Sequence, residues 1–487
     1  MAEKALSLSR AAVTGCAILG LSLILAACGS GLSADLAADE GSIQAAWTEL
    51  GSGNQLLARV VTSHAPASAR DAVCPYMLVD GVAKRMSLRV AAGEVAQRPT
   101  KSAPADAKPS AFPVAVCEAS IPATAQSAFV AGRALPLAKA EPRRIAVIGD
   151  SGCRMKKSEN AWQACNDAGA WPFAKVAATA AAMNPDLVLH LGDYQYRENA
   201  CPPDMAGCQG SPWGYGWDTW QADLFTPAAP LLARAPWIVV RGNHEECARA
   251  GQGWHRFLDT QPYSARLSCD LAANDGAANQ ADPYAVALGG GTQLIVFDSS
   301  RAGNAVLRES DPRFAAYDKQ LHTVAALAAR PDVNTTIFAS HHPVLAFDPV
   351  AGRAPKPGNR ALQSVMQASH GQAYYPAGVT LALHGHVHGF QAISFASDHP
   401  ATIVAGNAGD KLDAALPDSL PAGAAPAPGT IIDRMSHHAS FGFLMMERPV
   451  GAMAWTFKAY TAAGKLLATC QQNGRRLLCD RTGLLAP

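Results

Sequence analysis

The chain has 487 residues, of which 49% are hydrophobic and 16% charged, and 40 Lys and Arg against 39 Asp and Glu leave a formal net charge of +1. An apolar fraction of this size over this length is ample for large buried cores, which excludes disorder as the default state. So even a charge balance provides no basic field to neutralise a nucleic-acid backbone and no acidic or basic interaction tail.

Lys4 and Arg10 precede an uncharged apolar run at residues 16–27 (CAILGLSLILAA). The run is shorter than the roughly 20 residues that cross a bilayer, and with its positive flank it reads as a signal peptide over residues 1–27. Leu25, Ala26, Ala27 and Cys28 resemble the lipobox of bacterial lipoproteins. That resemblance implies a lipid on Cys28 and an exported protein held on a bacterial membrane, facing periplasm or cell exterior. A plain secretion signal followed by a chance cysteine is the alternative.

Residues 28–53 are mostly small and polar and read as a tether. From 54 to 140, short β-type runs (LLARVVT, MSLRVAA, FPVAVCEA, SAFVAGRAL) are interrupted by a Pro-, Ala- and Lys-rich stretch at 98–113, predicting a small β domain without evident chemistry. From 141 to 487 the pattern changes. RIAVIGD (144–150), DLVLHLGD (186–193), WIVVRGN (237–243), QLIVFDS (293–299), TTIFASH (335–341) and TLALHGH (380–386) are buried-strand runs, interspersed with helix-patterned segments such as 172–183 and 313–330. The alternation predicts an α/β fold, a layered and mostly buried sheet flanked by helices. Residues 416–428 read as a surface loop, and 441–479 as late strands with a closing hairpin.

Apart from Cys16 and Cys28, ten cysteines remain, and none forms a C-x-x-C pair, so a zinc ribbon or thioredoxin-type redox centre has little support. Pairing of neighbours in an oxidising compartment is the simplest account: Cys74 with Cys117, Cys153 with Cys165, Cys201 with Cys208, Cys247 with Cys269, and Cys470 with Cys479.

Five of the six runs end in Gly, Asp, Asn or His. Loops beyond strand carboxyl ends form the ligand crevice of α/β sheets, so Asp150, Asp193, Tyr196, Asn243, His244, His341, His386 and His388 converge in such a fold. Two carboxylates, an amide, imidazoles and a phenol make a mixed oxygen and nitrogen set suited to two adjacent metal ions.

Read together, the blocks at 149–152 (GDSG), 192–196 (GDYQY), 242–245 (GNHE), 338–341 (FASH) and 385–388 (GHVH) resemble the five ordered blocks of the calcineurin-like metallophosphoesterases, and more closely the purple acid phosphatase branch. Gly152 stands where the broader superfamily places a His ligand, and Tyr196 where a phenolate compensates; Phe338 replaces the Val of VxxH. The resemblance implies one ion held by Asp150, Asp193, Tyr196 and His388 and a second by Asp193, Asn243, His341 and His386, with Asp193 as the bridge. It implies Fe(III) in the phenolate position and a divalent Zn, Fe or Mn beside it. The activity implied is acid-phosphatase-like hydrolysis of small-molecule phosphate esters by metal-activated hydroxide attack. His244 is then the group that binds phosphate and protonates the leaving group, with Glu245 orienting it and His342 as a second candidate.

Within that class a phosphodiesterase or nucleotide pyrophosphatase is the alternative. A serine esterase built on Ser151 is a rival from another class, but it needs a His oriented by a carboxylate and leaves the other blocks without roles. A non-catalytic surface lipoprotein is the remaining rival. Trp213, Tyr215, Trp217 and Trp220 predict either an aromatic rim for a leaving group or a cover for the sheet edge, with the cover preferred. His437 and His438 are candidates to approach the metals from behind.

Overall fold

A computed structural model describes residues 42–63 and 74–480 and the backbone of Leu484–Leu485. The signal segment, Cys28 and the tether up to residue 41 lie outside the described residues.

Two large sheets face each other and helices cover their outer sides. The first sheet contains strands β1 (Ile43–Leu50), β2 (Leu56–Thr62), β3 (Ser87–Val90), β4 (Ala115–Ile121), β5 (Arg144–Ile148), β6 (Leu187–His190) and β7 (Trp237–Val239). The second contains β8 (Tyr284–Gly289), β9 (Thr292–Phe297), β10 (Thr335–Ser340), β11 (Val379–His384), β12 (Phe390–Phe395), β13 (Ala401–Ala405) and β14 (Ile432–His438). Strands β15 (Gly442–Glu447), β16 (Thr456–Thr461), β17 (Leu466–Asn473) and β18 (Arg476–Cys479) return to the first sheet. Its order is β18-β17-β16-β15-β5-β6-β7-β1-β2-β4-β3; that of the second is β8-β9-β10-β11-β13-β12-β14, ending in Leu484–Leu485. The strands β5, β6 and β7 run parallel, as do β9, β10, β11 and β13.

The alternation of side chains along each strand sorts them into layers. Ile145, Val147, Leu187, Leu189 and Ile238 from the first sheet meet Leu294, Val296, Ile337, Ala339, Leu381 and Leu383 from the second in one inner core. Ala146, Ile148, Val188, Trp237 and Val239 point the other way, under α1 (Phe173–Ala182). Ile295, Phe297, Phe338 and Ala382 pack under α2 (Pro312–Ala328) and α3 (Arg360–His370). Burial on both faces is why these strands read as continuous apolar runs, and each fully buried Ile, Leu or Val contributes about 1.5–3 kcal/mol. The helices at 173–182 and 312–328 fall where the helix patterning predicted them. Asp311 caps the latter by accepting from the Arg313 N–H, ahead of Pro312 at the first turn. Phe338, the departure from VxxH, packs against Phe297 and Tyr375 in the outer core, facing away from the cleft.

The amino-terminal region corrects two expectations. Residues 43–50, assigned from sequence to the tether, form β1, which lies parallel to β7 and antiparallel to β2. Trp47 packs on Phe225 with ring centroids 5.2 Å apart. The buried Glu49 pairs with Arg59 at 3.0 Å, and Arg59 donates to the carbonyls of Phe257 and Asp259. Within 54–140, β2, β4 and β3 continue the large sheet, while Tyr76–Val79, Val82–Arg85, Ala128–Val130 and Arg133–Ala134 make a separate small sheet. Part of that segment is therefore one layer with the catalytic region. Polar Gln44, Thr48 and Glu49 hid β1 in the sequence. Residues 416–428 are also more than a surface loop, because Leu416, Leu420 and Ala427 are buried in the outer core.

All five neighbouring cysteine pairs are disulfides. No helix among the described residues is long and apolar enough to cross a membrane.

A chain beginning at Ser42 is expected to melt cooperatively, and one beginning at Ser52 is expected to lose cooperative melting, because the edge of β7 and the partners of Arg59 are stripped. Thermal circular dichroism of the two chains checks this. Equal melting temperatures would mean that the segment acts as a mere tether.

Candidate metal centre

Seven of the eight convergent residues lie directly beyond the carboxyl ends of parallel strands: Asp150 after β5, Asp193 after β6, Asn243 and His244 after β7, His341 after β10, and His386 and His388 after β11. Tyr196 follows Asp193 on the same loop. Asp150, Asp193 and His386 adopt left-handed backbone, with φ of 56°, 59° and 69°. Such strain costs on the order of 1–3 kcal/mol per residue and clusters at functional sites. Here it turns each side chain sharply off its strand end and back into the crevice. Gly192, at φ 98°, is also left-handed, and a Cβ there would lie 2.8 Å from both Gly242 Cα and His341 Nδ1.

The donor atoms gather in two groups that share one carboxylate. Tyr196 Oη lies 2.9 Å from Asp150 Oδ1, 2.8 Å from Asp193 Oδ2 and 3.2 Å from His388 Nε2. On the other side, Asn243 Oδ1 lies 3.0 Å from His341 Nε2 and 3.0 Å from His386 Nδ1, and His341 Nε2 lies 3.1 Å from Asp193 Oδ2. Each aspartate fixes its second oxygen elsewhere: Asp150 Oδ2 accepts from the His386 N–H at 2.9 Å, and Asp193 Oδ1 from the His244 N–H at 2.8 Å. The two histidines are also oriented. His341 Nδ1 sits 2.9 Å from the Leu191 carbonyl and His388 Nδ1 2.8 Å from that of Lys411, so both rings carry their proton on Nδ1 and turn the Nε2 lone pair inward.

This set fits two metal ions. Adjacent ligands about 2.1 Å from an octahedral ion lie about 3.0 Å apart, which is the spacing seen in both groups. A phenol has one proton and cannot satisfy two carboxylate oxygens at once; a cation can. The electrostatics point the same way. Burial alone lowers the imidazoles, yet Asp193 outweighs it at His341, which is raised to about 9, and Asp410 and Asp150 outweigh it at His388, raised to about 10. Burial, then Asp150 and Asp193, push the Tyr196 phenol well up, so the phenolate forms when a cation sits at its oxygen.

Around these groups the structure refines the expectations. His244 lies over the Tyr196 ring, centroids 3.9 Å apart, with Nε2 4.0 Å from Asp193 Oδ2. Burial and Arg249 lower its imidazole to about 4. Its Nδ1 lies 3.0 Å from Glu198 Oε1. Glu245, expected to orient His244, instead accepts the backbone N–H groups of Gly242, Asp193 and Tyr194 and ties the second loop to the third. His342 is oriented by Ser299 Oγ, 3.1 Å from Nδ1, and its ring lies 4.3 Å from that of His386. Burial and the neighbouring His341 lower it to about 3. Gly152 has no room for a side chain: a Cβ would stand 2.9 Å from the Tyr196 nitrogen, so the loop that presents the phenol occupies the space of a His at this position.

Glu198, Asp410 and Arg154 escaped the sequence reading. Asp410 lies 3.4 Å from His388 Nε2 and pairs with Arg154, whose guanidinium lies 4.9 Å from the centre of the Tyr196 ring. Residues 401–410 (ATIVAGNAGD) carry the same signature of a strand ending in Gly, Asn and Asp, and the same rule finds Asp410 there. Nothing in sequence marks Glu198.

Ser151 does meet a histidine: its Oγ lies 2.9 Å from His190 Nε2. However, His190 Nδ1 accepts the Gly192 N–H, so Nε2 carries the proton and cannot act as base. Both residues are fully buried. Tyr215, Trp217 and Trp220 sit in the core on the outer side of the first sheet, as cover for it, and Lys108 lies over Trp213. His437 and His438 share a small cavity with His388 and Asp413, and His438 stacks on Phe390.

The chain belongs to the calcineurin-like phosphoesterase family, whose sequence model matches residues 143–390. It is accordingly a hydrolytic metallophosphoesterase, and membership implies a dinuclear metal centre. Its fold is shared with the purple acid phosphatase PPD1 from yellow lupin (Lupinus luteus) seeds, at 13% identity over 87% of this chain and 73% of that one, TM-score 0.53. It is shared equally with PhoD, at 10% identity over 90% of this chain and 92% of PhoD, TM-score 0.52. No curated protein sequence matches the chain.

The two glutamates are expected to separate on mutation. Glu245→Gln should weaken metal retention about 10–100-fold, while Glu198→Gln should keep the metal and lower turnover by a similar factor. Metal content after dialysis, measured with turnover, checks both; metal loss in Glu198→Gln would contradict the assignment.

Proposed function

We propose that the enzyme is an acid-phosphatase-like phosphomonoesterase of the purple branch, with one ion held by Asp150, Asp193, Tyr196 and His388 and the other by Asp193, Asn243, His341 and His386. The observation that carries this reading is the Tyr196 oxygen between the carboxylates of Asp150 and Asp193. A phenolate with two carboxylates suits Fe(III), and an amide with two imidazoles suits divalent Zn, Fe or Mn. Such a pair supplies Lewis acidity at phosphorus and a nucleophile from water at acidic pH.

The chain's own residues do the rest. His244, with Nδ1–H held by Glu198, presents Nε2 to the cleft, where the negative charge of a bound phosphate favours its protonation. It then donates that proton to the departing alkoxide. His342, neutral and oriented by Ser299, hydrogen-bonds a non-bridging oxygen. Glu245 keeps Asp193 fixed while charge shifts across the site. Five disulfides support export to an oxidising compartment, and we place the lipid anchor on Cys28. A phosphodiesterase or pyrophosphatase built on the same centre is separated by the substrate panel below.

The mature protein is expected to contain two metals per chain, to absorb visible light through a phenolate-to-Fe(III) transition that Tyr196→Phe abolishes, and to hydrolyse phosphomonoesters ahead of diesters. Chelation should remove activity, and Ser151→Ala should retain most of it. A colourless, fully active protein holding only divalent metal would overturn the purple assignment while leaving the phosphoesterase intact.

A further inference from the structure

We infer that the cleft contains a second anion subsite, built for a small-molecule substrate that carries another phosphoryl group beside the scissile one; this rests on the phosphoesterase reading above. A cavity of about 460 Å³ opens beside Asn243, His342 and His386. Lys101, Arg249, Arg301 and Arg313 line it, and Glu246 is the one carboxylate among its lining residues. In a chain of net charge +1 this is a marked local excess of positive charge.

The donors in this cavity differ in how far they are already committed. Arg313 forks onto Asp311, and Lys101 pairs with Glu246 at 3.2 Å. Arg249 is different. It is buried, its Nη1 has no hydrogen-bond partner, and its nearest carboxylate oxygens lie at 3.8 Å (Glu198) and 4.0 Å (Glu246), both from Nε. Ser300 Oγ is likewise buried without a hydrogen-bond partner. Arg301, next to it, lines the same cavity, and its charge helps hold the Asp311 carboxyl down.

Buried donors left unmade are costly and rare, so a guanidinium and a hydroxyl left open in one cleft point to a missing acceptor. The acceptor must be anionic, compact and rich in oxygen, because two guanidinium groups and a hydroxyl line the same cavity from two loops, one carrying Arg249 and the other Ser300 and Arg301. A phosphoryl group meets that description better than a carboxylate, which has only two oxygens. The loops are themselves anchored: Arg249 follows Asn243 and His244 and is clipped by the Cys247–Cys269 disulfide, and Ser300 and Arg301 follow β9. The subsite therefore lies on the Asn243 and His386 side of the centre, away from Tyr196.

The test compares ADP with AMP on the metal-loaded mature protein, because the pair share a nucleoside and differ by one phosphate. The wild type is expected to favour ADP in kcat/KM, and Arg301→Gln and Arg249→Gln to lower the ADP-to-AMP ratio about tenfold each. Arg234→Gln, an exposed arginine outside the cleft, serves as the control and should change neither substrate. Calorimetric binding of methylenediphosphonate, set against inorganic phosphate, should weaken about tenfold in Arg301→Gln while phosphate binding holds. An equal loss on ADP and AMP would assign the arginines to the scissile phosphate and overturn the second subsite. Turnover of 4-nitrophenyl phosphate with no preference for ADP would overturn it as well, with the phosphoesterase reading intact. Full metal occupancy without turnover of any phosphate ester would sink that reading and the subsite with it.

Discussion

The Asp193 carboxylate is the point on which the site turns. One of its oxygens is pinned by the His244 N–H, and the other stands 2.8 Å from Tyr196 Oη and 3.1 Å from His341 Nε2, where the two donor groups meet. Holding one oxygen there requires a left-handed aspartate, a left-handed glycine before it, and a buried Glu245 that gathers the backbone N–H groups of Gly242, Asp193, Tyr194 and Gln195 around it. None of these is favourable alone. A backbone of this kind persists only when its surroundings over-determine it, and the surroundings here are strand ends from both sheets.

That dependence explains the architecture. Asp150, Asp193 and Asn243 come from β5, β6 and β7 of one sheet, while His341, His386 and His388 come from β10 and β11 of the other. The donor set is therefore also a junction between layers, and the shared inner core of Ile145, Leu189, Ile337 and Leu383 holds the two edges in register. Strand β1 covers the flank of β7, and Arg59 reaches from β2 to the carbonyls of Phe257 and Asp259, close behind the Asn243 loop. Disulfides at Cys153–Cys165, Cys201–Cys208 and Cys247–Cys269 follow the first three blocks and tie down the loops between sheet and site. In a protein of net charge +1, Lys101, Arg249, Arg301 and Arg313 gather along one cleft wall beside Asn243 and His386.

The sequence was most readable where a residue's role follows from the strand that ends beside it. Asp150, Asp193, Asn243, His341, His386 and His388 each follow an apolar run, so their convergence was visible, and the same rule extends to Asp410. Glu198 was hidden because it lies two residues beyond Tyr196 in irregular backbone, with no periodicity to mark its direction. Glu245 was visible, yet its task was misread: adjacency to His244 suggested a pair, whereas the tight turn sends the carboxylate back to the second loop. Strand β1 was missed because Gln44, Thr48 and Glu49 make it polar, and the burial of Thr48 and Glu49 depends on Pro136 and Arg59 far along the chain.

By itself the sequence determined the order of the donors and the alternation of strands and helices, since these depend on local pattern; proximity suggested the disulfide partners, and the structure pairs them so, even across the 43 residues from Cys74 to Cys117. Only the tertiary structure decided which oxygen of Asp193 is shared, that Gly152 yields its space to the Tyr196 loop, and that Arg249 and Ser300 face one cleft with donors unused. The reason is geometric. Chain order constrains which residues reach a strand end, but the direction of each side chain beyond it depends on backbone angles and packing that distant segments impose.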